Sequence, residues 1–241
     1  MAKKNVRDNE RRAVAEQMRK QQARSERRRS LLILGACVVV VIGLLAAALV
    51  PYISQRRADA KAEGAKLSTL GVGATAAKCE PVKKAKATGN NQHITPGTKI
   101  PYADAPPSSG PHWGNYMTGN ELRSLYTVQD RPEVERLVHS LEHGHTILWY
   151  DDTVKPGTDA YSAIKQISAK FDAETDKFMA APWESKDGKS FPSGMHVALT
   201  HWTGPENQQG ITQYCAAPSG SVVETFMKDW PKSDAPEPLA P

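Results

Sequence analysis

The stretch Arg131-Pro-Glu-Val-Glu-Arg-Leu-Val-His-Ser-Leu-Glu-His-Gly144 predicts a short helix that ends directly before an apolar strand. Asp130 suits the N-cap with Glu133 as its reciprocal partner, and Gly144 suits the C-terminal stop. Apolar residues at positions i, i+3, i+4 and i+7 form one stripe that we expect to face the core: Val134, Leu137, Val138 and Leu141.

The sequence on the C-terminal side of this helix predicts a small sheet. Helical periodicity at 161–170, and a capping box of Ser221 with Glu224, predict two further helices. This combination of predicted helices and strands is typical of an α+β domain with a small, mainly antiparallel sheet and flanking helices. Three apolar runs predict its strands: 145–150, 177–181 and 195–202.

Three candidate metal ligands or acid–base groups of this stretch, His139, Glu142 and His143, lie off the apolar stripe. At 100° per residue, Glu142 lies about 90° from the middle of the stripe, His139 about 150° and His143 about 170°. The two histidines therefore share a face of the helix, and we predict that this face does not point to the core.

The spacing His139-x-x-Glu142-His143 matches the H-x-x-E-H pattern of inverted zinc peptidases, in which glutamate acts as the general base. Three fixed positions in five are often met by chance, so three interpretations stay open. They are a hydrogen-bonded polar face, a non-catalytic metal site and metal-assisted hydrolysis. A metal site would need a further ligand, for which the candidates are His93, His112 and His196.

The N-terminal part of the chain predicts a membrane anchor. Leu31 to Val50 is a run of 20 residues without a charge, and such a helix spans about 30 Å, the thickness of the bilayer's hydrocarbon core. A cleaved signal peptide is the competing interpretation, but its apolar run is usually about 7 to 15 residues. The arginine cluster at 27–29 predicts a cytoplasmic N-terminus and an extracytoplasmic remainder.

The sequence thus predicts a single-pass protein of the cell membrane. The Pro-rich tail at the C-terminal end is expected to be unpacked. The predicted segments are a basic cytoplasmic tail at 1–30, a transmembrane helix at 31–53, a linker at 54–78, an extracytoplasmic α+β domain at 79–230 and the Pro-rich tail at 231–241.

The charge is distributed unevenly along the chain. Residues 1–29 hold 11 Lys/Arg against 4 Asp/Glu, whereas residues 90–241 hold 12 against 19. Phosphate binding needs clustered basic side chains, so the acidic domain predicts no nucleic-acid partner. The expected partners are the lipid bilayer and an envelope protein.

Two of the three cysteines lie outside the membrane span. Cys37 falls within the span, where a small buried apolar residue is the simplest interpretation. Cys79 and Cys215 lie in what should be an oxidising compartment, which predicts one disulfide between them.

Four ordered motifs resemble the domain-of-unknown-function family numbered 3105. They cover about 79–238 and occur in the order Pro106-Pro-Ser-Ser-Gly-Pro-His112, Val138-His-Ser-Leu-Glu-His-Gly144, Ala198-Leu-Thr-His-Trp202 and Ala235-Pro-Glu-Pro238. The resemblance implies a bacterial, mostly actinobacterial, membrane-anchored protein. It draws attention, without assigning roles, to His93, His112, His139, Glu142 and His143. His145 and His201 depart from the resemblance and are expected to be buried in strands.

We therefore predict an extracytoplasmic domain that binds Zn or Cu through His112, His139 and His143, with His93 as an optional further ligand. Glu142 would act as a ligand, as a general base or by orienting a ligand. One alternative is a metal-free structural or protein-interaction module of the cell envelope. A zinc-dependent hydrolase is the third interpretation.

Overall fold

The computed structural model describes residues 2–88, 92–204 and 206–240. The chain divides into two compact units, Met1–Ala58 and Asp59–Pro241. Helix α1 runs from Ala2 to Gly64 and so crosses the boundary between them.

Within α1, Glu26–Ser54 is long and apolar enough to cross a membrane, judged by length and composition. Among the residues that the structure describes, it is the one such helix. Its apolar side chains, such as Leu31, Ile42 and Val50, are exposed to the surroundings rather than packed in a protein core. This supports the predicted single-pass anchor at 31–53, while the orientation of the anchor stays a prediction.

The second unit contains a five-stranded sheet and a pair of two-residue strands. The sheet order is β1-β7-β6-β4-β5, in which only β4 and β5 are parallel neighbours. The predicted α+β class with a mainly antiparallel sheet is confirmed. The strands are β1 (Lys83–Lys86), β2 (His93–Ile94), β3 (His112–Trp113), β4 (Thr146–Tyr150), β5 (Phe178–Pro182), β6 (Val197–Thr203) and β7 (Gln209–Cys215).

Helices cover both faces of this sheet. The alternation along β4 places Ile147 and Trp149 on one face, and Leu148 and Tyr150 on the other. The first face packs against α2, and the second packs against α3 and α4. The α-helices of this unit are α2 (Val134–Glu142), α3 (Asp159–Ser168) and α4 (Gly220–Asp229), with 3₁₀ turns at Leu67–Thr69, Gly119–Glu121 and Lys232–Asp234.

Two predicted helix starts are wrong by a few residues. α2 begins at Val134, and its N-cap Glu133 makes no side-chain capping bond. The Asp130 carboxylate is instead used in its own turn, where it accepts hydrogen bonds from the backbone and side chain of Thr127. With Ser221 as its N-cap, α4 would begin at Val222. It begins at Gly220 instead, because the Ser219 side chain caps it by accepting a hydrogen bond from the Val222 amide.

The segments on either side of the predicted domain contribute to its core. Leu70 and Ala77, from the predicted linker 54–78, are buried. The tail 231–240 differs from the expectation of an unpacked segment, because Ala235 is 1% exposed and the Glu237 amide donates to the Glu142 carbonyl at 3.0 Å. Backbone hydrogen bonds, which a Pro-rich composition does not reveal, hold this tail on the domain.

Four strands have no counterpart in the sequence-based prediction, namely β1, β7 and the two-residue strands β2 and β3. β1 has the sequence KKAK and all four of its residues are exposed, so it carries no apolar signal. It pairs with β7 and forms one edge of the sheet. Cys79, just before β1, is bonded to Cys215 at the end of β7, which confirms the predicted disulfide, whereas Cys37 is free.

Candidate metal centre

Three elements bring four potential ligands together beside α2. His93 on β2 and His112 on β3 are register partners in a short parallel pair. His139 and Glu142 lie three residues apart on α2 and therefore on one side of the helix. The pairing of β2 with β3 thus sets two loop histidines against one helix face.

The side chains of this group, His93, His112, His139 and Glu142, lie close enough to share one ion. One ligand atom from each residue lies within 4.8 Å of the others. The ring centroids of His112 and His139 are 4.6 Å apart, and each lies 5.0 Å from that of His93. We call these four residues the first ligand group.

Backbone carbonyls determine which ring nitrogens carry hydrogen. His112 Nδ1 lies 2.9 Å from the Gly110 carbonyl oxygen, and His139 Nδ1 lies 2.6 Å from the Trp113 carbonyl oxygen. A carbonyl oxygen only accepts, so each Nδ1–H donates. A neutral ring in this tautomer presents the lone pair of Nε2, which is the form that binds a metal.

Glu142 faces these rings from a completely buried position. Its Oε2 lies 2.9 Å from His112 Nε2 and 3.8 Å from His93 Nε2. The 2.9 Å approach is short, but it is not directed as a hydrogen bond is. Among the described residues, both carboxylate oxygens and His112 Nε2 lack a hydrogen-bond partner. Buried polar atoms without partners are costly, and a shared cation would satisfy His112 Nε2 and the Glu142 Oε2 beside it.

The protonation states of the buried members suit a metal. Burial, and after it the nearby His112, lower the pKa of His139 to about 4. Burial acts to raise the pKa of Glu142, but the neighbouring histidines, His112 first, bring it below its ordinary value. At neutral pH the group therefore offers a neutral imidazole and an ionised carboxylate, as a transition-metal site requires.

A second ligand group shares one member with the first. Glu142, His143 and Glu237 each offer a ligand atom within 4.8 Å of the others. His143 Nε2 lies 3.7 Å from Glu237 Oε2. Glu237 belongs to the C-terminal tail, and sequence reasoning did not select it, although it lies in the quoted motif Ala235-Pro-Glu-Pro238.

The structure divides the predicted ligand set differently from the prediction. His93, which was the optional ligand, lies in the first group with His112 and His139, and His143 lies in the second. The Glu142 carboxylate lies at ligand distance in both groups, instead of only orienting other ligands. The metal-binding roles of these residues stay predictions.

The histidine face of α2 lies off the apolar stripe that enters the core, and it is nevertheless buried. His139, Glu142 and His143 are 2%, 0% and 4% exposed. The chain around His112 covers the N-terminal part of this face, and the tail around Glu237 covers its end. A helical wheel identifies a face that lies off the main apolar stripe, but not the loops that pack over it.

The remaining histidines lie outside both groups. His145 is buried as expected, but it lies just before β4 rather than in a strand. Its Nδ1 lies 2.9 Å from the Ser140 carbonyl oxygen and its Nε2 lies 3.0 Å from that of Ala173. His201 is also fully buried. His196, a candidate third ligand in the sequence, instead contacts Asp151 with Nδ1 2.9 Å from Oδ2.

The arrangement differs from that expected of an H-x-x-E-H peptidase. In such an enzyme both histidines of the motif hold one ion and the glutamate acts on its bound water. Here α2 ends at Glu142, His143 is its C-cap, and the two histidines fall in different groups. Glu142 is a shared potential ligand rather than a base set apart from the ligands.

Comparison with known proteins identifies one family over most of the chain. The model described as "Protein of unknown function (DUF3105)" matches residues 93–241, which include every member of both ligand groups. A model described as "Inhibitor of host cell division protein domain" matches residues 9–63, less than a quarter of the chain. No curated protein and no solved structure matches.

Proposed function

The chain belongs to the DUF3105 family, and we propose that its folded domain binds a transition-metal ion, Zn or Cu, on the extracytoplasmic side of a membrane. The first ligand group would hold the ion through His93, His112, His139 and Glu142. The observation that carries this proposal is the approach of His112 Nε2 to a buried Glu142 carboxylate that has no hydrogen-bond partner among the described residues.

The donor set supports the choice of metal. Three imidazoles with one carboxylate suit Zn and Cu, whereas Mg and Ca prefer oxygen ligands. Two of the imidazoles are oriented by carbonyls at Nδ1, so their Nε2 atoms need no rearrangement to bind. His93 is half-exposed and connects the group to the surface. An ion would therefore reach the buried ligands along this ring.

The membrane anchor and the disulfide support the proposed location. Glu26–Ser54 suits one membrane crossing, and the bond from Cys79 to Cys215 suits an oxidising compartment. We therefore place residues 59–241 outside the cytoplasm and the arginine cluster at 27–29 inside it. A protease added to intact cells should cleave a C-terminal tag, and should leave an N-terminal tag intact until the membrane is permeabilised.

The metal proposal is tested on the full chain in mild detergent. After treatment with a chelator and its removal, Zn²⁺ and Cu²⁺ are titrated separately by calorimetry. The wild type should bind, and His139→Gln and His93→Ala should bind at least tenfold more weakly. His93→Ala is the variant safest for folding, because the ring is half-exposed. His196→Ala is the matched control, since that ring lies outside both groups.

The outcomes separate the proposal from its alternatives. Equal binding by the wild type and His139→Gln would mean that the first group is not the site. No binding of either ion by a folded wild type would favour the metal-free module. In that case a protein partner in the envelope becomes the leading interpretation. Nucleic acid remains unexpected in either case, because residues 90–241 hold 12 basic against 19 acidic side chains.

A further inference from the structure

Glu142 belongs to both ligand groups, and one bound ion would use only one of its two carboxylate oxygens. A carboxylate has two oxygens, and neither oxygen of Glu142 has a hydrogen-bond partner among the described residues. Oε2 is directed to His112 and His93 of the first group. The same carboxylate also offers a ligand atom within 4.8 Å of ligand atoms of His143 and Glu237.

We propose that Glu142, His143 and Glu237 form a second metal site, so that the Glu142 carboxylate bridges two divalent ions in one dinuclear centre. The inference rests on the proposed function, since the first site supplies the neighbouring ion. One imidazole and two carboxylates make the second site richer in oxygen than the first. It should therefore bind Zn²⁺ more weakly and accept harder ions such as Mn²⁺.

The spacing of the two groups fits a bridged pair. Two ions that share ligands lie about 3.5 to 4 Å apart in dinuclear sites. His139 of the first group and His143 of the second lie one helical turn apart, and their ring centroids are 4.5 Å apart. Neighbouring rings on one helix end thus serve neighbouring sites, with Glu142 between them in sequence.

The tail that supplies Glu237 is held in place by contacts other than its carboxylate. The Glu237 amide donates to the Glu142 carbonyl at 3.0 Å, and Ala235 is buried. Lys177 Nζ donates to the Ala240 carbonyl at 3.1 Å. The Glu237 side chain, which is 43% exposed, can therefore be removed without releasing the tail.

Close packing at the end of α2 fixes the tail's path. Gly144 has φ +92°, and a β-carbon there would lie 2.6 Å from the Lys232 carbonyl oxygen. The backbone of the tail therefore passes directly over the glycine that follows His143. Further along the same tail, Glu237 Oε2 lies 3.7 Å from His143 Nε2.

The test counts bound ions in the full chain in detergent. The wild type, stripped of metal, should bind two equivalents of Zn²⁺ in two phases, and Glu237→Ala should lose the weaker phase and bind one. Glu224→Ala is the matched control, because it removes an exposed carboxylate on α4, whose packing is on the other face of the sheet. It should retain both equivalents.

A spectroscopic measurement makes the bridge itself visible. Two equivalents of Cu²⁺ in the wild type should give a coupled pair, with an electron paramagnetic resonance intensity well below that of two isolated ions. Glu237→Ala with one equivalent should give the full intensity of one isolated ion. Two uncoupled Cu²⁺ signals in the wild type would overturn the bridge.

The stoichiometry distinguishes failure of this proposal from failure of the first. One equivalent in both the wild type and Glu237→Ala would overturn the second site and leave the first standing. Two equivalents in both proteins would show that the tail carboxylate is not a ligand, which also overturns it. No binding by the wild type would overturn both sites together.

Discussion

The buried His201 should make the domain sensitive to acid, and the size of the effect follows from its surroundings. The side chain lies on β6 and is fully buried, with Nδ1 3.2 Å from the His145 carbonyl oxygen. Nε2 has no hydrogen-bond partner among the described residues. Burial lowers the pKa of His201 to about 4, so the ring is neutral in the folded protein at neutral pH.

The direction of the effect is set by linkage between protonation and folding. In the unfolded chain the pKa of a histidine is about 6.5, so the unfolded state binds the proton more tightly than the folded state does. The free energy of unfolding should therefore fall as the pH drops below about 6.5, and this loss should level off below about 4. From 6.5 to pH 5 the loss is about 1.5 pH units at about 1.4 kcal/mol each, or about 2 kcal/mol.

The assay compares urea unfolding of the wild type and His201→Gln at pH 8 and pH 5, in mild detergent with a chelator. All five tryptophans lie after residue 59, so their fluorescence reports the second unit and not the membrane helix. Glutamine keeps most of the volume and cannot titrate. Any protonation of the ligand groups is common to both proteins and cancels in the difference.

The wild type should lose about 2 kcal/mol more than His201→Gln between pH 8 and pH 5. An absolute loss of stability in the variant at pH 8 is irrelevant, because only the pH dependence is compared. Equal losses in the two proteins would show that the ring is not held neutral by burial. A smaller loss in the wild type would mean that the folded state favours the charged ring, which would refute the reasoning.

Three further substitutions test the packing that supports the site. Leu141→Ala removes a fully buried side chain of α2 and should cost about 3 kcal/mol in the free energy of unfolding, whereas the exposed Leu239→Ala should change it little. Gly144→Ala should cost about 1 to 2 kcal/mol or more because of the positive φ and the nearby Lys232 carbonyl oxygen, and should weaken the weaker Zn²⁺ phase more than the stronger one by calorimetry. Cys79→Ser should lower the melting temperature and cost about 2 to 5 kcal/mol, and a reductant should then destabilise the wild type but not the variant.

The three helices of the domain and the strands β4, β5 and β6 were predictable because their sequences carry a period or a continuous apolar run. The stripe through Leu137 and Leu141 defined α2, and the run that ends at Tyr150 defined the central strand. β1 was not predictable, because an exposed edge strand of lysines has no apolar pattern. Its position depends on pairing with β7, which is a long-range contact.

The candidate site was predictable only in part. Local spacing placed His139, Glu142 and His143 on one end of a helix. Which of them fall in the same ligand group depends on how the chain before His112 and the tail at Glu237 pack over that end. Those paths are set by backbone hydrogen bonds, such as the one from the Glu237 amide to the Glu142 carbonyl, and sequence periodicity does not report such bonds.

The Glu142 side chain itself offers a test of whether this arrangement serves stability or binding. A buried carboxylate without hydrogen-bond partners destabilises a fold, so a domain selected for stability alone would gain from its replacement. At pH 9 with a chelator, where histidines are neutral, Glu142→Gln should be at least as stable as the wild type to urea. With Zn²⁺ at 100 times its dissociation constant the order should reverse, because binding adds about 2.7 kcal/mol to the wild type and less to the variant. A Glu142→Gln variant that is destabilised equally with and without Zn²⁺ would show that the carboxylate has a structural role, and would remove the physical reason for placing a metal between it and the three imidazoles.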